Sequence, residues 1–257
     1  GYPWEVVRNG STSQIDLRID DYASQRLALE GWMTQEAAQR VLALAGEDYE
    51  QLKQTAADRK FRPRPLGVKA SVGVRNDVKF STTYNVVGLV PGSKRPGEHF
   101  LYTAHWDHLG KSEGADDSHV DTIFNGASDN ATGISALIEL GRAFAATKPR
   151  PERSVMFVAV TAEESGLLGS QHFASHPPVP VAKMAGGLNM DNLSPLGEAR
   201  DLVVIGYDAS ELDDHLRRAT AKQDRVLARE PTPEKGLYYR SDHFNLAKQG
   251  VPMIYPK

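Results

Sequence analysis

The sequence predicts an α/β protein with a largely buried sheet and helices on both faces. Three observations carry this. From Thr82 onward, short apolar runs rich in β-branched residues alternate with longer runs of helical periodicity. The run Ser154–Val160 is almost wholly apolar, as expected of a strand covered on both sides. The chain has 257 residues, 40% hydrophobic and 25% charged, which suffices for one large domain with an ordinary core.

The elements follow in chain order. The first part, to about residue 80, differs from the rest. Thr34 is placed as the N-cap of a helix with Ala37, Val41 and Leu42 on one face, stopped by Gly46. A second helix runs from about Tyr49 to Ala57, and Phe61–Leu66, with Pro63 and Pro65, reads as an extended connector. Asn85–Val90 and Phe100–Ala104 are short apolar runs separated by a turn-like Gly92–Gly97, and they are expected to form a hairpin. Ala131–Ala146 places Ile134, Leu137, Ile138 and Gly141 at helical spacing. The strand Ser154–Val160 follows, then a helix over Leu167–Ala174 and strands over Gly186–Met190 and Leu202–Ile205. Helices over Leu212–Ala221 and Asp242–Lys248 precede a last strand, Val251–Tyr255.

Composition narrows the chemistry. Thirty basic residues against thirty-three acidic ones give a net charge of -3, so neither a nucleic acid nor an anionic membrane is expected as a partner. No apolar run approaches the length of a membrane span. With no cysteine there is no disulfide, thiolate ligand or cysteine nucleophile. Any metal must use His, Asp and Glu, a donor set that suits zinc.

Four segments place such groups at the ends of apolar strands, where ligand sites of α/β sheets form. In Thr103-Ala104-His105-Trp106-Asp107-His108, positions i and i+2 of a strand share a face, so His105 and Asp107 are expected to point the same way. Such a pair fits a histidine satisfied at a strand end, or a metal ligand oriented by a carboxylate. In Gly126–Gly133, Asp129 is either the N-cap of the following helix or a carboxylate presented to metal. Glu163 and Glu164 emerge together from the apolar strand. Like charges there are costly unless paired or metal-bound, although acidic residues also open helices. Asp191, in Leu188-Asn189-Met190-Asp191-Asn192, is either a turn residue or a further ligand.

The order His-x-Asp, Ser-Asp-Asn, Glu-Glu, Met-Asp-Asn resembles the M28 zinc aminopeptidase family. The blocks Ala104–Gly110, Gly126–Gly133, Ala162–Ser170, Asn189–Asn192 and Ser241-Asp242-His243-Phe244 through Gly250-Val251-Pro252 carry the likeness, which extends from Thr82 to Tyr255. The resemblance implies a mixed, mostly parallel sheet sandwiched by helices, the zinc-dependent exopeptidase fold. It implies two zinc ions bridged by Asp129. One is also held by His105 and Asp191, the other by Glu164 and a histidine near the C-terminus. Glu163 becomes the general base, and Asp107 becomes the residue whose carboxylate holds His105. Peptides are the implied substrates, and a secreted or periplasmic location goes with this kind of protein.

The resemblance departs at one point. The family's last histidine lies after the Gly-Val-Pro strand, and none follows Gly250-Val251-Pro252 here. The chain is therefore expected to be a piece of a longer protein with one ion short of a ligand. His243 precedes that strand and is assigned beside the site or facing substrate. Residues 1–80 resemble the end of a protease-associated insert and its connector, on Gly1-Tyr2-Pro3-Trp4 and the Gly31-Trp32…Gly46 helix, leaving 81–257 as the catalytic domain. A single-zinc glutaminyl cyclase and a receptor-like relative without activity use the same scaffold. A phenol of Tyr238 or Tyr239 fits either an oxyanion donor or an ordinary packed pair.

Overall fold

The computed structural model describes residues 4, 14–20, 27, 29–111 and 121–257. Gly1-Tyr2-Pro3, on which part of the insert reading rests, lies outside the described residues. The chain divides into two compact units, Gly1–Gln14 with Arg18–Ser81, and Ile15–Leu17 with Thr82–Lys257.

In the first unit, helix α1 (Gln35–Leu44) starts where Thr34 Oγ1 accepts from the Ala37 N–H at 3.1 Å. It ends before Gly46, whose φ of +72° only glycine adopts without strain. Helix α2 (Tyr49–Ala56) is capped by Asp48, which accepts from the Gln51 N–H at 2.7 Å. Neither helix has a fully buried residue.

The second unit is built on β1 (Val86–Val90), β2 (Arg95–His105), β5 (Arg153–Val160), β6 (Met184–Asn189), β7 (Asp201–Ile205), β8 (Val226–Arg229) and β9 (Met253–Pro256). Two short strands, β3 (Gly110–Lys111) and β4 (Ile123–Phe124), form a separate ribbon. The seven-stranded sheet runs β1-β5-β2-β6-β9-β7-β8. Its four central strands β5, β2, β6 and β9 are parallel, while the β1–β5 and β9–β7 pairs are antiparallel. The helices are α3 (Thr132–Ala146), α4 (Leu168–Ser175), α5 (Leu212–Ala221) and α6 (His243–Lys248). Among the described residues, no helix is long and apolar enough to cross a membrane.

Strand alternation explains why both faces are covered. Met156, Val158 and Val160 of β5 join Leu101 of β2, Phe173 of α4 and Leu246 of α6 in one buried cluster. Val155 and Phe157 point the other way, against Leu137, Ile134 and Phe144 of α3. Tyr102 stacks on Phe157 there, with ring centroids 5.8 Å apart.

The expected hairpin is not formed. Val90 of β1 and Phe100 of β2 both pair with Val155, so β5 lies between the two strands. The intervening turn wraps the start of β5, where the Ser93 N–H donates to Pro151 O at 2.8 Å and the Arg95 N–H to Glu152 O at 2.7 Å. An all-apolar strand is best covered in the middle of a sheet, which leaves β1 at the edge with Val86 and Leu89 more than half exposed. Strand β8, without a strong periodic signal of its own, was not anticipated. It adds to β7 with Leu202 opposite Leu227.

Candidate metal centre

The C-terminal ends of β2, β5 and β6, three adjacent parallel strands, deliver the acidic and imidazole groups to one place. His105 is the last residue of β2 and pairs with Val160. Beyond Val160 the chain turns sharply, held by Asn85. The Asn85 Oδ1 accepts from the Thr161 N–H at 3.1 Å, and its amide donates to Gly169 O at 2.8 Å. Glu163 and Glu164 lie in this turn. After β6, the Met190 N–H still donates to Thr103 O at 2.8 Å, and Asp191 follows.

Asp191 is held on one side only. Ser241 Oγ donates to its Oδ2 at 2.6 Å and Tyr255 Oη donates to the same atom at 3.2 Å. Ser241 in turn accepts from the Asn189 amide at 2.8 Å, and Asn189 Oδ1 accepts from Thr103 Oγ1 at 2.6 Å. This buried chain leaves Asp191 Oδ1 facing His105 Nε2 at 3.4 Å.

Asp129 is not a helix N-cap. Its φ and ψ of -115° and 91° are non-helical. Its neighbour Asn130 does the capping, accepting from the Gly133 N–H at 3.0 Å. The Asp129 carboxylate is therefore free to point at His105 Nε2, 3.0 Å away. A Cβ on Gly133 would lie 2.4 Å from Asn130 Oδ1 and 2.5 Å from Met190 O, so only glycine lets helix α3 start this close to the Asp191 turn.

The side chains fall into two groups of three, each with ligand atoms within 4.8 Å of one another. One is His105, Glu163 and Asp191; the other is His108, Asp129 and Glu164. Asp129 belongs to the second and also reaches His105 of the first. His105 Nδ1–H donates to the backbone carbonyl of Asp107 at 3.0 Å, which leaves Nε2 directed at the carboxylates.

The electrostatics of this crowd are strained. Burial raises the Glu163 carboxyl to about 8, with the charges of Asp242 and Asp191 adding to it. Burial alone lowers His105, but the hydrogen bond to Asp191 and the charge of Glu163 outweigh it and push it up to about 10. Burial also raises Asp191, yet the bonds from His105 and Ser241 leave it below the usual carboxylate range. Asp242, fully buried behind the site, is raised to about 7 by burial, against the lowering effect of Ser170 and the charge of His105.

These features fit a bound cation. His105 Nε2 is buried, and the groups it meets are the carboxylate oxygens of Asp129 and Asp191. Donors at zinc bonding distance in a tetrahedron stand about 3.4 Å apart. Of the separations at His105 Nε2, the 3.4 Å to Asp191 equals that spacing and the 3.0 Å to Asp129 is about 0.4 Å short of it. Carboxylates converging on a half-buried cleft repel one another until a cation neutralises them.

The structure thus brings His105, Asp129, Glu163, Glu164 and Asp191 together. Asp107 differs from expectation. Its carboxylate lies 3.8 Å from His105 Nδ1, and its carbonyl makes the bond instead. The carboxylate accepts from the Glu163 N–H at 3.1 Å and more loosely from the Glu164 N–H at 3.4 Å. The reason is that β2 ends at His105, so the strand rule does not reach Asp107. His243 lies beside the site, against the Tyr255 ring that reaches Asp191, which is the first of its two expected placements. It is fully buried between Tyr238 and Tyr255, its ring nitrogens lack partners among the described residues, and burial lowers it to about 4. Tyr239 is 63% exposed, and Tyr238 packs against Gly206, His243 and Phe244. The phenol that reaches the site is Tyr255. His108, Ser241 and Tyr255 were not singled out from the sequence. The repeated histidine of His105-Trp106-Asp107-His108 and the Ser241-Asp242-His243 block were the available signals.

Fold and donor set together define an α/β protein with a metal-ligating cleft at its strand ends. Residues 85–257 match the model of peptidase family M28, and the chain belongs to that family. The aminopeptidase NAALADL1 of Mus musculus is 30% identical over 113 residues, which is 42% of this chain and 13% of the relative. A probable zinc metalloprotease of Pyricularia oryzae is 32% identical over 120 residues, 46% of this chain and 23% of its own. The matched segments are thus less than a quarter of either relative's length. Among solved structures, Legionella LapA superposes with a TM-score of 0.53 at 21% identity, covering 67% of this chain and 45% of its own. BSAP, a zinc aminopeptidase from Bacillus subtilis, does so with 0.51 at 21% identity, covering 67% and 39%. These likenesses support the fold.

Proposed function

We propose that this protein is a zinc-dependent aminopeptidase with a two-ion centre. In this reading His105, Asp129 and Asp191 hold one ion, Asp129 and Glu164 hold the other, and Glu163 is the general base. The observation that carries it is the position of Asp129, whose carboxylate stands 3.0 Å from His105 Nε2 while belonging to the group of His108 and Glu164. The chemistry that a pair of zinc ions supplies is polarisation of the scissile carbonyl and acidification of the attacking water.

The protein's own residues do the rest. Glu163, once nearby cations restore its charge, accepts the proton of the attacking water and passes it to the departing amine. Asp107 positions that base by binding its backbone N–H. Ser241 and Tyr255 keep Asp191 Oδ1 turned toward His105. The surplus of carboxylates around the cleft favours a substrate with a free ammonium group, which is what distinguishes a peptide's N-terminus from its interior. Within the same reading, the N-terminal unit is the end of a protease-associated insert, and the protein works in a secreted or periplasmic setting.

The test is hydrolysis of amino-acid anilides by the zinc-loaded protein, beside the same anilides with an acetylated amine. The free-amine substrates should be cleaved and the acetylated ones left intact. Glu163→Gln should lower kcat by about two to four orders of magnitude while metal content stays constant. Equal rates on both substrates would refute the aminopeptidase assignment, and an unaltered kcat would remove Glu163 as base.

A further inference from the structure

His108 is a residue to which neither composition nor family resemblance assigned a task. It lies three residues beyond His105, in the loop after β2. Its Nδ1 is 2.7 Å from Glu164 Oε1, and both side chains are about one-fifth exposed. With Asp129 they form the second group whose ligand atoms lie within 4.8 Å of each other.

From this we infer that His108 is a direct ligand of the second metal ion, binding through Nδ1 beside Glu164 and the bridging Asp129. The inference rests on the two-ion reading above and adds an imidazole to the donors Asp129 and Glu164.

Three observations support a built position. First, the loop that carries Asp129 comes so close to His108 that only glycine fits at its start. A Cβ on Gly126 would stand 2.9 Å from His108 Cβ and 2.9 Å from Asp129 O. Second, Phe124 meets the His108 ring edge-on, with centroids 6.5 Å apart. Third, Asp129 also stands 3.0 Å from the buried His105 Nε2, so a cation beside His108 and one beside His105 would share this carboxylate.

The magnitudes agree. Zinc held by a histidine nitrogen and a carboxylate oxygen keeps those atoms about 3.4 Å apart. The present 2.7 Å is a hydrogen-bond distance, so ring and carboxylate need to part by only about 0.7 Å. Both side chains are partly exposed, and a movement of that size needs no change in the core. On binding, Nε2 carries the single ring proton, any proton on Nδ1 passes to water, and the Nδ1 lone pair takes the metal.

The alternative is that His108 only orients Glu164 by hydrogen bonding. Outer partners of that kind contribute about 10–100-fold to metal affinity. The experiment is titration of cobalt(II) into metal-free protein, wild type and variants, followed by calorimetry and visible absorption. Wild type should take up two ions. His108→Ala should weaken the second by more than about 100-fold and leave the first unchanged. His108→Cys is the decisive variant. The chain contains no cysteine, so a thiolate-to-cobalt charge-transfer band can arise only from residue 108. The band should appear with the second equivalent of cobalt.

A His108→Ala loss below about 100-fold, or two bound cobalt ions in the His108→Cys variant without that band, would overturn the inference while leaving the two-ion reading intact. Uptake of fewer than two ions by the wild type would overturn both.

Discussion

Asn130→Ala is the substitution that most directly tests how the two ligand-bearing turns are joined. Asn130 is 2% exposed and uses its whole amide. Its Oδ1 accepts from the Gly133 N–H at 3.0 Å and the Asn192 N–H at 3.2 Å, and its Nδ2 donates to Met190 O at 2.9 Å. Alanine leaves three backbone groups without their partner. Asn192 is exposed, so water can satisfy its N–H at little cost. Gly133 and Met190 are buried, and each orphaned group there costs about 1–3 kcal/mol. The expected loss is therefore about 2–6 kcal/mol, large beside the total stability of a typical domain. Two other ties remain, from Ser128 Oγ to Asn192 Oδ1 at 2.6 Å and from the Leu193 N–H to Thr132 Oγ1 at 3.1 Å, so the turns should stay neighbours. Urea unfolding of metal-free protein measures the loss. Metal titration should show a further about 10–100-fold weakening of the ion between Asp129 and Asp191. A loss under about 1 kcal/mol with unchanged metal affinity would mean that Asn130 is not the brace described here.

The remaining expectations concern other parts of the same site. Asp107→Asn should lower kcat by about 10–100-fold with metal content unchanged, because the Glu163 and Glu164 N–H groups lose a charged acceptor; unchanged kinetics would argue against the clamp. His243 has a folded value of about 4 against 6.5 when free, so the stability it carries is present above pH 6.5 and is lost as pH falls through 4. That gap corresponds to about 3 kcal/mol, and His243→Phe should flatten the acid limb of the stability profile, a change that urea melts between pH 4 and 7 would reveal. Gly126→Ala should destabilise the His108 loop, since φ is +66° and the added carbon collides with His108; a melting temperature equal to wild type would contradict the packing. Chelation should lower the melting temperature and zinc should raise it with concentration, by about 2.7 kcal/mol of stability at one hundred times Kd.

Much of this molecule can be read from the chain because its signals are strong and local. Helix α5 spans the range its pattern predicts, and β5 extends its all-apolar run by one residue. Three of the four acidic and imidazole segments stand at strand ends because a parallel sheet gathers its C-terminal ends at one edge, while the fourth, with Asp129, opens helix α3 instead. The failures have equally local causes. The β1–β2 hairpin was inferred from nearness in sequence, yet β5 enters from more than fifty residues away and takes the central place. The side chain of Asp107 was placed by a strand rule that stops applying two residues earlier. His108 escaped notice because its significance depends on Glu164, 56 residues distant. Tyr255 looked like one more apolar residue of the last strand, and only the folded chain shows its hydroxyl at Asp191.

The hydroxyls on Asp191 have a consequence for which cations the cleft accepts. Oδ2 is occupied by Ser241 and Tyr255, so Asp191 offers a single oxygen to any ion beside His105. Calcium needs a shell of six to eight oxygens, and a carboxylate that binds through both atoms helps to fill it. A carboxylate locked to one-point contact, next to an imidazole nitrogen, suits small ions content with four donors. Two buried hydroxyl groups that never touch the metal thereby act as a filter on coordination number, discriminating against calcium where it is abundant.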